Sequence, residues 1–161
     1  MNLRIEVVVS EQRLRVYDNS DSVVLEKLIA TAAKGIGQQL GSEQTPLGRH
    51  IVRAKIGAGC VENTVFVGRR PTGEIFSEAL RQAEPERDWI LTRILWLSGC
   101  EPGLNRLGTV DTMRRYIYIH GAPDADPMGI PSSHGCVKMR NSDIIELFGA
   151  VPVGTVVDIV A

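Results

Sequence analysis

Tyr116-Ile117-Tyr118-Ile119-His120 and, beyond a loop rich in glycine and proline, Ser133-His134-Gly135-Cys136 are the stretch on which the reading of this chain turns. The first run alternates as a strand does, which predicts Tyr116, Tyr118 and His120 on one face and Arg115, Ile117 and Ile119 on the other. His120 then leaves the strand end beside aromatic walls. The loop from Gly121 to Pro131 holds three prolines and two glycines, so it is expected to be ordered and to fold back, bringing Cys136 within hydrogen-bond reach of His120. Cysteine attacks carbonyls as thiolate and needs a base nearby to take its proton. Cys136 is therefore the candidate nucleophile and His120 its base. Gly135 sits where a tight loop can bare backbone N–H groups toward a reacting oxygen. His134, two residues from the sulfur, is read as lining the pocket or anchoring the loop as readily as taking part in chemistry. The competing reading, a buried structural cysteine beside surface histidines, leaves the joint placement of both residue types without a purpose.

The rest of the composition narrows the class. With 161 residues and 43% hydrophobic content the chain can enclose one core, and a single domain over 1–161 is expected. Eighteen Lys and Arg against nineteen Asp and Glu give a net charge of −1, so no footprint for nucleic acid or an acidic membrane appears. The N-terminal run Leu3 to Val9 is broken by Glu6 and reads as a strand, not as a signal-peptide core. Trp89 to Leu97 is too short for a membrane span and carries Arg93. A cytoplasmic location is the expectation, with the periplasm as the alternative if an export signal was trimmed. Three cysteines, Cys60, Cys100 and Cys136, fit a reducing compartment better than a disulfide framework, although a Cys60–Cys100 bridge stays open for an exported protein.

Along the chain, period-two runs at Ile5 to Val9 and around Leu14 and Val16, a turn at Asn19-Ser20-Asp21, and strand-like segments at Val23 to Leu25, His50 to Ile56, Val65 to Val67, Trp89 to Leu97, Arg114 to His120 and Val151 to Val160 give a mainly β class. Residues 69–88 are charged, with Pro71, Gly73 and Pro85, and are expected as a surface excursion with one helical turn that walls or covers a cleft. Asn141-Ser142-Asp143 offers capping side chains to a short helix over Ile144 to Phe148, with Gly149 as its stop.

With these residues laid out, His120-Gly121, Gly129-Ile130-Pro131-Ser132-Ser133-His134-Gly135-Cys136-Val137-Lys138-Met139, Asn141 and Asp143 together resemble the motif of the YkuD-type L,D-transpeptidases. Ile5 to Tyr17 resembles that family's opening strands, Thr45-Pro46-Leu47-Gly48 its TPxG turn, and Gly154-Thr155-Val156-Val157 its closing strand, so the resemblance covers nearly the whole chain. It implies a YkuD-like β-sandwich with Cys136 as nucleophile and His120 as proton acceptor and donor. The N–H groups around Gly135 and Cys136 would form the oxyanion site, and Ser133 and His134 would complete the pocket. Lys138 departs from the family's usual arginine; it keeps the charge for a substrate carboxylate without the planar fork. No cofactor is implied. The implied substrates are peptidoglycan stem peptides or soluble muropeptides: the thiolate attacks the L-centre carbonyl of meso-diaminopimelate, expels D-alanine and leaves a thioester. Water as acceptor makes an L,D-carboxypeptidase, an amine acceptor makes a cross-linking L,D-transpeptidase, and a cytoplasmic location favours the former, in peptidoglycan recycling.

Two readings from other classes stand beside this. His120, His134 and Cys136 are residue types that suit zinc, as in a zinc hydrolase, yet His-x-Cys on a glycine loop is not a strong zinc spacing and no carboxylate base is evident nearby. A catalytically silent peptide-binding domain would need neither His120 nor Cys136. Arg93, Asn105, Thr112 and Arg115 occupy polar positions near the expected cleft and receive no role from sequence.

Overall fold

The computed structural model describes residues 2–161. In chain order its strands are β1 (Arg4–Val8), β2 (Arg13–Tyr17), β3 (Val23–Leu28), β4 (Gly48–Ile56), β5 (Thr64–Val67) and β6 (Arg70–Ile75). Helix α1 (Glu78–Ala83) follows, then β7 (Ile90–Gly99), β8 (Tyr118–Ala122), β9 (Val137–Arg140), helix α2 (Asn141–Ala150) and β10 (Val156–Val160).

Alternation builds the first strands: Ile5 and Val7 of β1 point inward opposite Val16 and Leu14 of β2, while the intervening Arg and Glu side chains face out. The ten strands form one sheet ordered β3-β2-β1-β10-β4-β7, which forks at β7 into β5-β6 and β8-β9. Ile5, Leu14 and Ile159 share one core with Ile119, Val137 and Met139, although β4 and β7 lie between these groups in the sheet. The sheet therefore curls until its two ends face each other, which is how a single sheet produces the expected sandwich-like, mainly β architecture. Ala30 and Lys138 exchange both backbone hydrogen bonds at 2.9 Å, so the segment after β3 lies against β9 and closes the curl.

Helix α2 caps this core with Ile144, Leu147 and Phe148, each side chain contributing about 1.5–3 kcal/mol by leaving water. It differs from expectation at both ends. Asn141 is the first helical residue and makes no cap; its buried amide donates to Asn63 Oδ1 and Asp124 Oδ1 and its Oδ1 accepts from Thr92 Oγ1 at 2.6 Å. Gly149 lies inside the helix, which runs on to Ala150.

Two further expectations are corrected, and one conditional pairing is excluded. The run Arg114–His120 is a strand only from Tyr118, because residues 112–116 form turns and Tyr116 takes a left-handed φ of +56°; the strand instead continues through Gly121 to Ala122. The 69–88 excursion contains β6 as well as α1, whose N-cap Ser77 accepts from the Leu80 N–H. Arg87 ties it down by gripping Glu74 and Glu84. All three cysteines are free. Cys100 lies beyond Gly99, which pairs with His50, whereas Cys60 lies beyond Ile56. The rise along β4 between those points is roughly 20 Å, and a disulfide needs Cα atoms within about 7 Å, so Cys60 and Cys100 cannot bridge. Among the described residues no helix is long and apolar enough to cross a membrane.

Candidate active site

Strands β8 and β9 are parallel neighbours, with Ile119 opposite Val137 and His120 opposite Lys138. Parallel neighbours cannot be joined by a tight turn and need a crossover of about a dozen residues or more. That requirement accounts for the fifteen residues between His120 and Cys136. Ile119, Val137 and Met139 face the core, so alternation sends Tyr118, His120, Cys136 and Lys138 to the other face. Cys136 falls next to Tyr118 and one step along from His120.

The sulfur is held by backbone. Tyr118 N–H donates to Cys136 Sγ at 3.3 Å, and the thiol donates to the Tyr116 carbonyl at 3.5 Å. Burial pushes the thiol up to about 12; the Tyr118 N–H acts the other way, Asp88 adds to the rise and Arg115 opposes it. His120 is buried, and its Nδ1 lies 2.6 Å from the Gly121 carbonyl. A carbonyl only accepts, so Nδ1 carries the proton and Nε2 keeps a free lone pair. Burial lowers the imidazole's pKa, against an upward pull from Asp88. The resting pair is thus a thiol and a neutral imidazole. Among the described residues no hydrogen bond joins them, in contrast to the direct contact expected, because the thiol donates to the Tyr116 carbonyl instead. Such contacts commonly tighten only when substrate binds.

The loop before Cys136 is braced from three sides. Ser133 Oγ donates to the Cys136 carbonyl and accepts the Gly135 N–H at 3.2 Å. Ser132 and Ser133 N–H groups donate to the Thr31 carbonyl, and Ala33 N–H to Ser133 O. Thr45 Oγ1, fully buried, accepts from Ala32 N–H at 3.0 Å and donates to Gly135 O at 2.9 Å. Gly135 has φ +130°, and a Cβ there would sit 3.2 Å from Ile117 Cδ1 and 3.3 Å from Gln44 O. The left-handed φ and the two close neighbours together favour glycine at that corner. Ser133 is therefore a loop brace. The Gly135 N–H is taken up inside the loop, whereas the Cys136 N–H has no protein acceptor among the described residues.

The sulfur opens onto a cleft of about 480 Å³ whose lining includes Arg69, Asp88, Arg115, Tyr116, Tyr118 and His134. His134 stands exposed on its rim with Nδ1 3.5 Å from Asp88 Oδ1. On the far side of His134 and Asp88 a smaller hollow of about 160 Å³ is bounded by Arg81, Asp126 and Lys138. Asp126 there binds both Lys138 (3.2 Å) and Arg81 (2.8 Å), so the Lys138 charge is met by protein and the residue ties β9 to α1. His120, His134 and Cys136 do not converge as a ligand set: among the described residues no three metal-type side chains cluster.

Sequence reasoning gave no site role to Thr45, Arg69, Asp88 or Arg115, although it placed Arg115 near the expected cleft. Arg115, half-buried, donates to Gly37 O, Ser42 Oγ and Gln44 O and presents its charge to Cys136. Thr45 was visible only as part of a turn, and its contact with Gly135 spans ninety positions.

Against known proteins, the chain is similar over 41 residues to the probable L,D-transpeptidase YbiS of Escherichia coli, at 51% identity, covering 26% of this chain and 13% of that protein. Its fold is similar to an L,D-transpeptidase from Mycobacterium smegmatis (TM-score 0.62, 14% identity, covering 99% of this chain and 59% of that one). It is also similar to an Enterococcus faecium L,D-transpeptidase (TM-score 0.59, 20% identity, covering 99% and 50%). The chain thus spans about half of those solved chains and a small part of YbiS. The family model for the YkuD L,D-transpeptidase catalytic domain matches residues 2–159, and on that match the chain belongs to this family of cysteine acyltransferases.

Proposed function

We propose that the protein is an L,D-carboxypeptidase that works on peptidoglycan stem tetrapeptides through a thioester on Cys136. The observation that carries this reading is the placement of Cys136 and His120 on one face of the parallel β8–β9 pair, with the sulfur at the floor of a cleft. Nε2 of His120 takes the thiol proton as sulfur attacks the L-centre carbonyl of meso-diaminopimelate. The oxyanion is met by the Cys136 N–H. Collapse breaks the peptide bond, the D-alanine amine leaves with the proton from His120, and the acyl group remains on sulfur. Water, deprotonated by His120, then attacks the thioester, giving the tripeptide carboxylate and regenerating the thiol.

Water as acceptor releases a tripeptide, whereas an amine acceptor brings a second peptide and makes a cross-link. Cys60 and Cys100, both unbridged, fit work on soluble muropeptides in a reducing compartment of the cytoplasm. The names of the similar proteins favour the other outcome, transfer to an amine with formation of a cross-link. Mass spectrometry of products from purified protein and disaccharide tetrapeptide decides between them: tripeptide with released D-alanine supports hydrolysis, and cross-linked dimer with no tripeptide overturns it.

A further inference from the structure

Arg69 occupies the second position of a two-residue turn, Gly68-Arg69, that joins β5 to β6 where Val67 pairs with Arg70. Both turn residues have left-handed backbone, φ +57° for Gly68 and +64° for Arg69. Such turns take Asn, Asp or Gly at these places, because a Cβ there meets the carbonyl and only glycine, or a short side chain that bonds locally, avoids the cost. An arginine at this place is thus unfavourable for the turn itself.

Its side chain has a defined destination. The guanidinium lies 4.7 Å from the centres of both the Trp96 and Tyr116 rings, and Nη1 donates to Tyr118 Oη at 3.0 Å. Tyr118 is the residue whose N–H holds the Cys136 sulfur, so the cation stands at a fixed place in the wall of the same cleft. No carboxylate pairs with Arg69 among the described residues, and the one acid lining the cleft, Asp88, is turned to His134. The second cleft arginine, Arg115, spends its donors on the 37–44 loop. Arg69 is left with unclaimed N–H donors on a planar fork packed against two aromatic rings, an arrangement suited to recognising a carboxylate.

We infer that Arg69 is a specificity-determining residue that binds a carboxylate of the peptide substrate while Cys136 attacks. The inference rests on the proposed peptide substrate, which offers two such groups: the C-terminal carboxylate of the leaving D-alanine and the side-chain carboxylate of diaminopimelate. Both present the same chemistry to the guanidinium, and neutral analogues separate them.

The test uses the whole protein and three peptides: the acid tetrapeptide, its C-terminal amide, and the tetrapeptide with lysine in place of diaminopimelate. For the wild type, removing the recognised carboxylate lowers kcat/KM about 10- to 100-fold, as expected for a charge-assisted contact, and the peptide that loses shows which carboxylate is held. Arg69→Asn, which suits the left-handed turn, removes that preference while turnover of the neutral analogue stays within about threefold. Arg69→Lys keeps an intermediate preference. An Arg69→Asn protein that slows on all three peptides equally, or retains the wild-type preference, overturns the inference. A wild type that processes none of the three contradicts the proposed function instead.

Discussion

The Tyr118 main-chain N–H donates to the Cys136 sulfur at 3.3 Å, so the strand that carries His120 also holds the sulfur. This contact stabilises a thiolate, but burial outweighs it and leaves the thiol pushed up to about 12. Thiolate content then rises tenfold per pH unit across the neutral range. Alkylation of Cys136 by iodoacetamide is expected to accelerate with pH up to at least pH 10, with no plateau near neutrality. A plateau below pH 8 would show a preformed thiolate–imidazolium pair.

His120 must be neutral to accept the proton, and burial lowers its pKa from 6.5. Protonation, which removes the base, is therefore delayed to lower pH. The acid limb of kcat/KM is expected below pH 6.5; a limb well above that value would place the base elsewhere.

Gly135→Ala forces a side chain onto a φ of +130° and against Ile117 and Gln44. A loss of about 1–3 kcal/mol in unfolding free energy and a fall in Cys136 acylation by a carbapenem are expected, read by denaturant titration and intact mass. Wild-type values for both would mean that the loop has another available path.

Thr45→Val removes a hydroxyl that pairs two buried backbone groups, Ala32 N–H and Gly135 O. About 1–3 kcal/mol per unpaired group is at stake. Because Gly135 precedes the nucleophile, kcat should fall along with stability, whereas Thr45→Ser should keep most of both.

His50 is a second buried histidine, with Nδ1 on Gly48 O and Nε2 receiving the Thr112 hydroxyl, and burial lowers it to about 4. The unfolded chain binds this proton from about pH 6.5 downward and the folded one only near pH 4, so folding stability falls across that window on acidification. The full effect of this group is about 3 kcal/mol. Denaturant unfolding of His50→Gln from pH 7 to 4.5 should show a shallower decline than wild type; equal slopes would contradict the assignment.

What was legible in the sequence was local or motif-borne. Alternation at Ile5, Val7, Leu14 and Val16 yields β1 and β2 because each strand buries one face. The run from Pro131 to Met139, with His120 upstream, shows the candidate nucleophile because its glycine, cysteine and histidine have few other uses together. The contacts that were not legible link distant positions: Thr45 with Gly135, Arg69 with Tyr118, and Asp88 with His134 depend on the curl of the sheet. Asn141 was misread for a different reason. Asparagine caps helices and satisfies buried networks through the same amide, and sequence does not separate those uses. Tyr116 looked like part of a strand because its aromatic ring fits the alternation, while its backbone turns left-handed.

If Cys136 carries the acyl group, intact-protein mass spectrometry of the protein quenched during turnover of disaccharide tetrapeptide shows an adduct equal to the substrate less D-alanine, mapped to Cys136 and absent from Cys136→Ala, which also releases no D-alanine. Undiminished D-alanine release by Cys136→Ala would contradict it.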